Sequence, residues 1–337
     1  MTALDRRQFT RSLLAVPAAA LVGTGLGALA PAAASAAAGW ETQFLAGQAN
    51  GELKHRWRRV DGSMGPAWDP VDTPGGTLYR VSCVGVAEDL HVVATLNSGT
   101  PDYGVRHGAD DSWTEFAPIP SLGGPTAGAV HVAVTALDGE LQIFGADEAG
   151  TTLYHTVRGV QGAWQLRWKA LRNFGRITQI ATTRVGTTID TAVVADGKLL
   201  HAIRKSDGTW TGWGNIESAA GDIENLLHVA LAGIGSQLHV LAVSGSGDVY
   251  HAIRKADATW QAFKKVGVFN NYSPFVVSAA NVAGELQVGI IDLATSGQVV
   301  RYSIRRTDGT WTTVSTVSAS GLTDDPGTLA IAGTTVA

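Results

Sequence analysis

The amino-acid sequence predicts an all-β protein built from six similar units, each a four-stranded antiparallel sheet. Three observations support this prediction: a pattern that returns about every fifty residues, short runs of strand-forming residues separated by turns, and chain ends that complement each other. A unit of this size cannot bury its own apolar face. The units must therefore stack on one another or close into a ring.

The repeated pattern is an apolar pair, a His, a second apolar pair, an Arg, then Asp-Gly and a Trp. It is clear in the segments LLHAIRKSDGTWTGW, VYHAIRKADATWQAF and LYHTVRGVQGAWQLRW. It is looser in LKHRWRRVDGS, DYGVRHGADDSWTEF and VRYSIRRTDGTWTTV. These copies predict six structural units that together cover residues 39–337.

Each unit contains four short runs rich in Val, Ile, Leu and Thr, which favour strands. In the third unit the runs are residues 129–136, 140–146, 152–158 and 163–168. Asp-Gly pairs such as Asp207-Gly208 lie between the third and fourth runs, where they predict a two-residue type I′ hairpin. After residue 38, no helical periodicity competes with this pattern.

The two ends of the chain predict how the units close. The first unit, from Trp40, lacks an opening strand, and the segment TLAIAGTTVA after the sixth unit resembles the opening strands of the others. A six-bladed β-propeller in which the C-terminal strand completes the N-terminal blade accounts for both facts and removes exposed sheet edges. Two β-trefoils would also give six repeats, but they need a boundary halfway along the chain and no shared strand.

The first 38 residues have the layout of an export signal. Arg6 and Arg7 precede Phe9, a Leu- and Ala-rich run follows from Leu13, and small residues with A-x-A cleavage points end at Ala38. This layout predicts a twin-arginine signal peptide over residues 1–38 and a secreted, extracellular protein. A retained transmembrane anchor is the alternative.

Charge and cysteine content restrict the function. The chain has a formal net charge of −4, and the predicted signal contains one Asp and three Arg, so the mature protein carries −6. This leaves no basic field for nucleic acid, and no segment suggests membrane insertion after signal cleavage. Cys83 is the only cysteine, which excludes an intramolecular disulfide and a cysteine zinc site. We expect neither a metal nor a cofactor.

The candidate binding residues repeat with the units. The third strand carries His55, His155, His201 and His251, with Gly104 and Tyr302 at this position in the second and sixth units. Three residues further on stand Arg58, His107, Arg158, Arg204, Arg254 and Arg305. The fourth strand opens with Trp113, Trp164, Trp210, Trp260 and Trp311, and with Met64 in the first unit. The second strand carries Gln43, His91, Gln142, Asp190, His239 and Gln287.

These residues can be interpreted in two ways. Side chains alternate along a strand, so grooves between blades would receive His from one side and Arg from the other. Indole faces suit the C–H face of a sugar ring, and Arg and His supply directional hydrogen bonds, which favours weak, repeated carbohydrate sites with avidity. Alternatively, the Trp side chains pack each blade and the polar residues lock it through buried hydrogen bonds.

Units such as DVYHAIRKADATW and KLLHAIRKSDGTWTGW resemble the repeats of secreted bacterial lectin propellers, the group that contains the Photorhabdus lectins, and of related actinobacterial exported proteins. The fungal fucose lectins are a looser parallel. The resemblance covers the mature chain and implies sugar binding between adjacent blades through Trp and polar residues. The Photorhabdus group has seven blades, and Gly104, His107 and Tyr302 depart from the repeat, so four or five working sites are expected here.

Two other classes of function remain open. The segment SDGTW is similar to the Asp-box of six-bladed sialidases, but its spacing differs, and a glycosidase needs one fixed pair of carboxylates that the sequence does not show. We therefore expect no enzymatic activity. A protein-interaction propeller would show an apolar patch on one rim. For the carbohydrate-binding reading, the expected partners are glycans on cell surfaces or extracellular polysaccharide.

Overall fold

The computed structural model describes residues 39–73, 75–96, 100–120, 122–125, 131–146 and 150–336. Within these residues, six four-stranded antiparallel sheets form a ring, which confirms the predicted six-bladed β-propeller. The predicted signal peptide, residues 1–38, lies outside the described part of the chain. None of the described helices has the length and apolar character needed to cross a membrane.

The strands of the first three blades are given from the innermost to the outermost. Blade 1 contains β24 (Pro326–Thr335), β1 (Trp40–Gln48), β2 (Leu53–Arg59) and β3 (Asp69–Val71). Blade 2 contains β4 (Leu78–Val86), β5 (Asp89–Leu96), β6 (Pro101–Arg106) and β7 (Ala117–Pro118). Blade 3 contains β8 (His131–Leu137), β9 (Glu140–Ala146), β10 (Thr152–Arg158) and β11 (Lys169–Asn173).

The other three blades follow the same order. Blade 4 contains β12 (Ile177–Val185), β13 (Thr188–Ala195), β14 (Lys198–Arg204) and β15 (Gly214–Asn215). Blade 5 contains β16 (Leu226–Ile234), β17 (Gln237–Ser244), β18 (Val249–Arg254) and β19 (Trp260–Lys265). Blade 6 contains β20 (Pro274–Val282), β21 (Glu285–Ala294), β22 (Gly297–Arg305) and β23 (Ser315–Thr316). A short helix, α1 (Ile216–Ala220), and a 3-10 turn (Gly267–Phe269) follow the fourth blade and β19.

The C-terminal strand closes the ring. Strand β24 pairs antiparallel with β1, from Trp40 opposite Thr335 to Gln48 opposite Pro326. It therefore becomes the innermost strand of blade 1, and it also packs against the innermost strands of blades 2 and 6. The predicted closure, with the last strand completing the first blade, is confirmed.

The hydrophobic core lies between blades. The buried apolar side chains form clusters that each span two neighbouring blades; in one of them Phe44 of blade 1 meets Ile291 of blade 6, both with no exposed surface. The alternation of side chains along each strand supplies apolar residues to both faces of a blade. The inter-blade faces therefore hold the ring together, and their outer parts are where side chains from two blades meet.

The outermost strand differs from the prediction. In blade 3 it begins at Lys169, after the predicted run 163–168, and Trp164 makes only an isolated bridge to Arg158. The chain leaves the ladder between these points, and Trp168 turns inwards to donate from Nε1 to the carbonyl of Pro120 at 2.8 Å. Only in blade 5 does this strand begin at the Trp, at Trp260. The outer strand of blade 3 is therefore interrupted because Trp168, the aromatic residue that follows Trp164, is buried.

The hairpins before the Trp residues also differ from the predicted two-residue turns. In blade 4 the amide of Lys205 donates to Thr209 at 2.8 Å and that of Gly208 donates to Lys205 at 2.9 Å, which encloses a three-residue loop. Only Gly208 in this loop has a positive φ, of 82°. Asp207 instead accepts the Thr209 amide at 2.8 Å. The Asp-Gly pair thus forms a turn with a glycine bulge rather than type I′.

Candidate functional site

The repeated side chains meet at the junctions between neighbouring blades. The blade that comes earlier in the chain supplies its third-strand His or Tyr, and the next blade supplies its third-strand Arg and its Trp. Five junctions hold a Trp: His55 with Arg106 and Trp113; Tyr103 with Arg158 and Trp164; His155 with Arg204 and Trp210; His201 with Arg254 and Trp260; His251 with Arg305 and Trp311. The ring geometry thus assembles each group from two sheets.

In the second blade, the residues at the repeated third-strand positions lie one residue earlier in the chain than the repeat pattern predicted. Tyr103 and Arg106, not Gly104 and His107, occupy the third-strand positions: Arg106 pairs with Leu90 as Arg254 pairs with Leu238. Gly104 is needed because a Cβ there would lie 2.4 Å from the ring of Phe116. His107 lies in the hairpin, 3.5 Å from Asp89. The sixth unit has Tyr302 at the His position, three residues before its Arg. Matching Tyr103 to Tyr302 would have given the correct positions in the second unit from the sequence.

The junction histidines are hydrogen-bonded within their own blades. Nε2 of His55 donates to Gln43 at 2.7 Å, Nε2 of His155 donates to Gln142 at 2.9 Å, and Nε2 of His201 contacts Oδ1 of Asp190 at 2.7 Å. In the other two junctions, His251 pairs with His239 at 3.0 Å and the Tyr103 hydroxyl pairs with His91 at 2.6 Å. These pairs explain the polar residue that recurs on the second strand.

Burial keeps three of these histidines, His55, His155 and His251, neutral. Each of the four junction histidines is at least nine-tenths buried. Burial, followed by the charge of a nearby arginine, lowers the pKa of His55 and of His155 to about 3. Burial, with the neighbouring His239 and Arg305, lowers the pKa of His251 to about 3. An imidazole in this setting acts as a neutral hydrogen-bond partner and not as a cationic ligand group.

Each junction histidine packs against the Trp of the next blade. The ring centroids of His201 and Trp260 are 6.1 Å apart with an angle of 90° between the planes, and those of His251 and Trp311 are 5.9 Å apart at 88°. The other two pairs have the same perpendicular arrangement. This contact fixes the indole orientation through an edge-to-face geometry that aromatic rings favour.

The indole and guanidinium groups are more accessible than the histidines. All five Trp side chains are half-buried, as are Arg158, Arg204, Arg254 and Arg305. At the second junction the guanidinium of Arg158 lies over Tyr103 at 4.9 Å and over Trp164 at 5.9 Å. Arg106 is the exception, since it is buried and paired with Asp111. A ligand at a junction would therefore meet the Trp and Arg side chains first.

The junction between blades 6 and 1 has a different composition. Tyr302 takes the His position and Met64 the Trp position, and Nε of Arg58 donates to the Tyr302 hydroxyl at 3.2 Å. Thr42 of β1 stands where the other blades have a buried Leu or Ile, and it donates to Oε1 of Gln287 at 2.7 Å. The equivalent apolar residues are Leu90, Leu141, Ile189, Leu238 and Leu286.

A cavity of about 340 Å³ lies at this junction. Its walls include Trp40 and Arg58 from blade 1, and Glu285, Gln287 and Arg306 from blade 6. The smaller, polar Thr42 contributes to the space and to its polarity. The cavity thus offers an indole, two guanidinium groups and a carboxylate within a volume suited to a small ligand.

Sequence comparisons do not identify a family. No protein-family model matches the chain, and no curated protein has significant sequence similarity to it. Among the described residues, no group of three or more His, Cys, Asp or Glu side chains is arranged to hold a metal ion.

Solved structures with the same architecture are lectins in several cases. A lectin from Burkholderia pseudomallei is 20% identical, with a TM-score of 0.56 over 86% of this chain and 84% of its own. A lectin from Aleuria aurantia in complex with α-methyl-L-fucoside is 14% identical, with a TM-score of 0.55 over 84% and 96%. AofleA from Arthrobotrys oligospora, in a variant with three arginines replaced by alanine, is 14% identical, with a TM-score of 0.54 over 88% and 90%. At these identities the similarity establishes the fold alone.

Proposed function

We propose that this protein is a carbohydrate-binding, lectin-like propeller whose saccharide sites lie between blades. This proposal rests on one observation: a half-exposed indole lies beside a guanidinium group in the same arrangement at several junctions. An indole face packs well on the apolar face of a pyranose, and the guanidinium donates directional hydrogen bonds to hydroxyl groups. No covalent chemistry is needed for this function.

The proposal divides the candidate residues by task. We assign contact with the saccharide to Trp113, Trp164, Trp210, Trp260 and Trp311 and to Arg58, Arg158, Arg204, Arg254 and Arg305. The histidines, His55, His155, His201 and His251, are buried with Nε2 already paired, so we assign them the support of the neighbouring indole. At the second junction Tyr103 supports Trp164 from a centroid distance of 5.3 Å.

The structural neighbours suggest which saccharide to test first. One solved complex contains α-methyl-L-fucoside. A single site of this kind binds weakly, in the millimolar to micromolar range, or roughly 4 to 8 kcal/mol. Several copies around one ring would bind a glycan-coated surface with much higher avidity.

The expected setting is extracellular. We propose export through the twin-arginine signal over residues 1–38 and binding to glycans on cell surfaces or to extracellular polysaccharide. The proposal of export rests on the paired arginines, the apolar run and the small-residue cleavage points of this segment. Detection of the cleaved chain in the culture medium, and its loss when Arg6 and Arg7 are both replaced by Lys, would test export.

Trp210→Ala tests the binding sites. A glycan array first identifies the preferred saccharide, and isothermal titration with the free sugar then counts the sites. We expect the variant to lose one site from the stoichiometry because its indole platform is absent. Tyr250→Ala is the matched control: it removes a half-buried aromatic that contacts Lys265, at 5.9 Å, rather than a junction, and it should keep every site.

Two results would count against the proposal. Unchanged stoichiometry in a folded Trp210→Ala protein would show that the indole is not a platform. Silence of the wild-type protein across neutral, acidic and bacterial-wall sugars would favour the protein-interaction propeller instead, for which the exposed Leu166, at 86%, is an accessible apolar contact.

A further inference from the structure

One mouth of the central channel carries a ring of equivalent side chains, one from each innermost strand. The strand registers place these residues opposite the same second-strand position in every blade: Thr328, Arg80, His131, Gln179, His228 and Val276. In blades 1, 2, 4, 5 and 6 a β-bulge immediately precedes the ring residue. Bulges re-aim side chains and are frequent beside functional sites.

Four of these residues line a cavity of about 90 Å³ in the channel: Arg80, Gln179, His228 and Thr328. The innermost strands of all six blades contribute to its wall. This volume has room for a small polyatomic ion.

Arg80 brings an uncompensated positive charge to this cavity. Its Nη1 donates to the carbonyl of Tyr79 at 2.8 Å, and its Nε is buried without a hydrogen-bond partner. No carboxylate in the described ranges lies within ion-pair distance of its guanidinium group. A desolvated charge without a counter-ion is costly, so the site favours an anion.

Two histidines flank this charge. His131 comes from the adjacent blade and His228 from the blade on the opposite side of the ring, and the charge of Arg80 acts on both. Their Nδ1 atoms are buried and unpartnered among the described residues. Burial, followed by the positive charge of Arg80, lowers the pKa of His131 to about 4 and that of His228 to about 3. Both imidazoles are therefore neutral near pH 7, and Arg80 carries the positive charge of this neighbourhood.

We propose that this channel mouth binds a small oxyanion on Arg80, with Gln179, His131 and His228 around it. Sulfate, phosphate and the carboxylate of a small organic acid share the required chemistry: a compact negative charge and oxygens that accept from a guanidinium group. The ion bridges side chains from opposite blades and so stabilises the ring. This site is separate from the proposed saccharide junctions, and its test does not depend on sugar binding.

Thermal unfolding at pH 7.5 and constant ionic strength, adjusted with NaCl, tests the proposal. Sulfate, phosphate and acetate are titrated separately in the low millimolar range. We expect a saturable rise in Tm of about 2–5 °C, since an anion that binds only the folded ring stabilises it by mass action. The anion with the lowest half-saturation concentration identifies the source, inorganic ion or organic acid.

Two variants separate the site from a general salt effect. Arg80→Met keeps a long side chain without the charge and should lose the saturable rise. Arg167→Met, at an exposed arginine of blade 3, is the matched control and should retain it. Equal responses of wild type and Arg80→Met, or no saturable response in wild type, would overturn the proposal.

A direct measurement covers the case in which Arg80→Met does not fold. Crystals of the wild-type protein soaked in sodium selenate should show an anomalous peak beside the Arg80 guanidinium group. Selenate is an isostere of sulfate, so it needs the same donors. The proposal is wrong if such crystals show anomalous peaks only elsewhere, or none at all.

Discussion

A buried imidazole stands behind a half-exposed indole at four junctions of the ring. His55, His155, His201 and His251 are fixed from one side by a second-strand partner and contact the Trp of the next blade from the other. At single-residue scale, the residues of the motif therefore have two different tasks. The His fixes the orientation of the neighbouring indole, and the Trp and Arg side chains remain accessible to a ligand.

Acid should destabilise the fold. Burial lowers the pKa of seven histidines below the ordinary 6.5, to about 3 or 4: His55, His91, His131, His155, His228, His239 and His251. Between these values and 6.5 the unfolded chain binds more protons than the folded one, so the free energy of unfolding falls as the pH falls. The stabilisation is fully present above about pH 6.5 and is lost progressively below it.

Urea unfolding between pH 7.5 and pH 4.5 at constant ionic strength measures this effect. Each histidine adds up to about 1.4 kcal/mol per pH unit to the slope. His155→Gln should reduce the slope by about one such increment, because it removes one titrating group and retains a side chain that can hydrogen-bond Gln142. A free energy of unfolding that stays level from pH 7.5 to pH 5 would contradict the buried, neutral state of these histidines.

At the scale of elements, the hairpin before each Trp sets where the indole and guanidinium groups stand. The hairpin of blade 4 has Gly208 at the left-handed position, with φ 82°, whereas the hairpin of blade 5 has Ala258 there, with φ 68°. A Cβ makes this conformation unfavourable by about 1 kcal/mol. The fifth hairpin thus carries strain that the fourth lacks.

Ala258→Gly should raise the free energy of unfolding by about 0.5–1 kcal/mol. The substitution removes the steric strain of a Cβ at positive φ, and this gain exceeds the cost of the larger conformational entropy that glycine gives the unfolded chain. Gly208→Ala, the same exchange in reverse at the equivalent turn, should lower it by a similar amount. Thermal or urea unfolding of both variants measures the pair. A lower stability of Ala258→Gly would show that the turn tolerates the methyl group.

Elements were predictable from the sequence where one residue pattern recurs without interruption. The inner three strands of the third and fifth units follow from their Val-, Ile- and Leu-rich runs. The outermost strand does not, because its course depends on a tertiary contact, as when Trp168 reaches Pro120. The same applies to the second unit, where Gly104 is set by the ring of Phe116 and hides Tyr103 and Arg106 from the alignment.

At the scale of the whole molecule, β24 completes blade 1 and packs it against blade 6, which closes the ring. The missing strand at one end and the extra strand at the other made this closure predictable. The cavity between blades 6 and 1 was not predictable, since Thr42, Arg58 and Arg306 are brought together only by the closed ring. The six junctions therefore share one arrangement of strands, but the junction between blades 6 and 1 differs from the others in its side chains and its cavity.

A crystal structure with the best-bound saccharide from a glycan array, or with α-methyl-L-fucoside, tests the central claim most directly. The account predicts sugar rings stacked on the indoles at junctions such as that of Trp210, with hydroxyl groups accepting from the arginine of the same blade. Saccharide density away from every junction, on the outer faces of the blades or in the central channel, would contradict it.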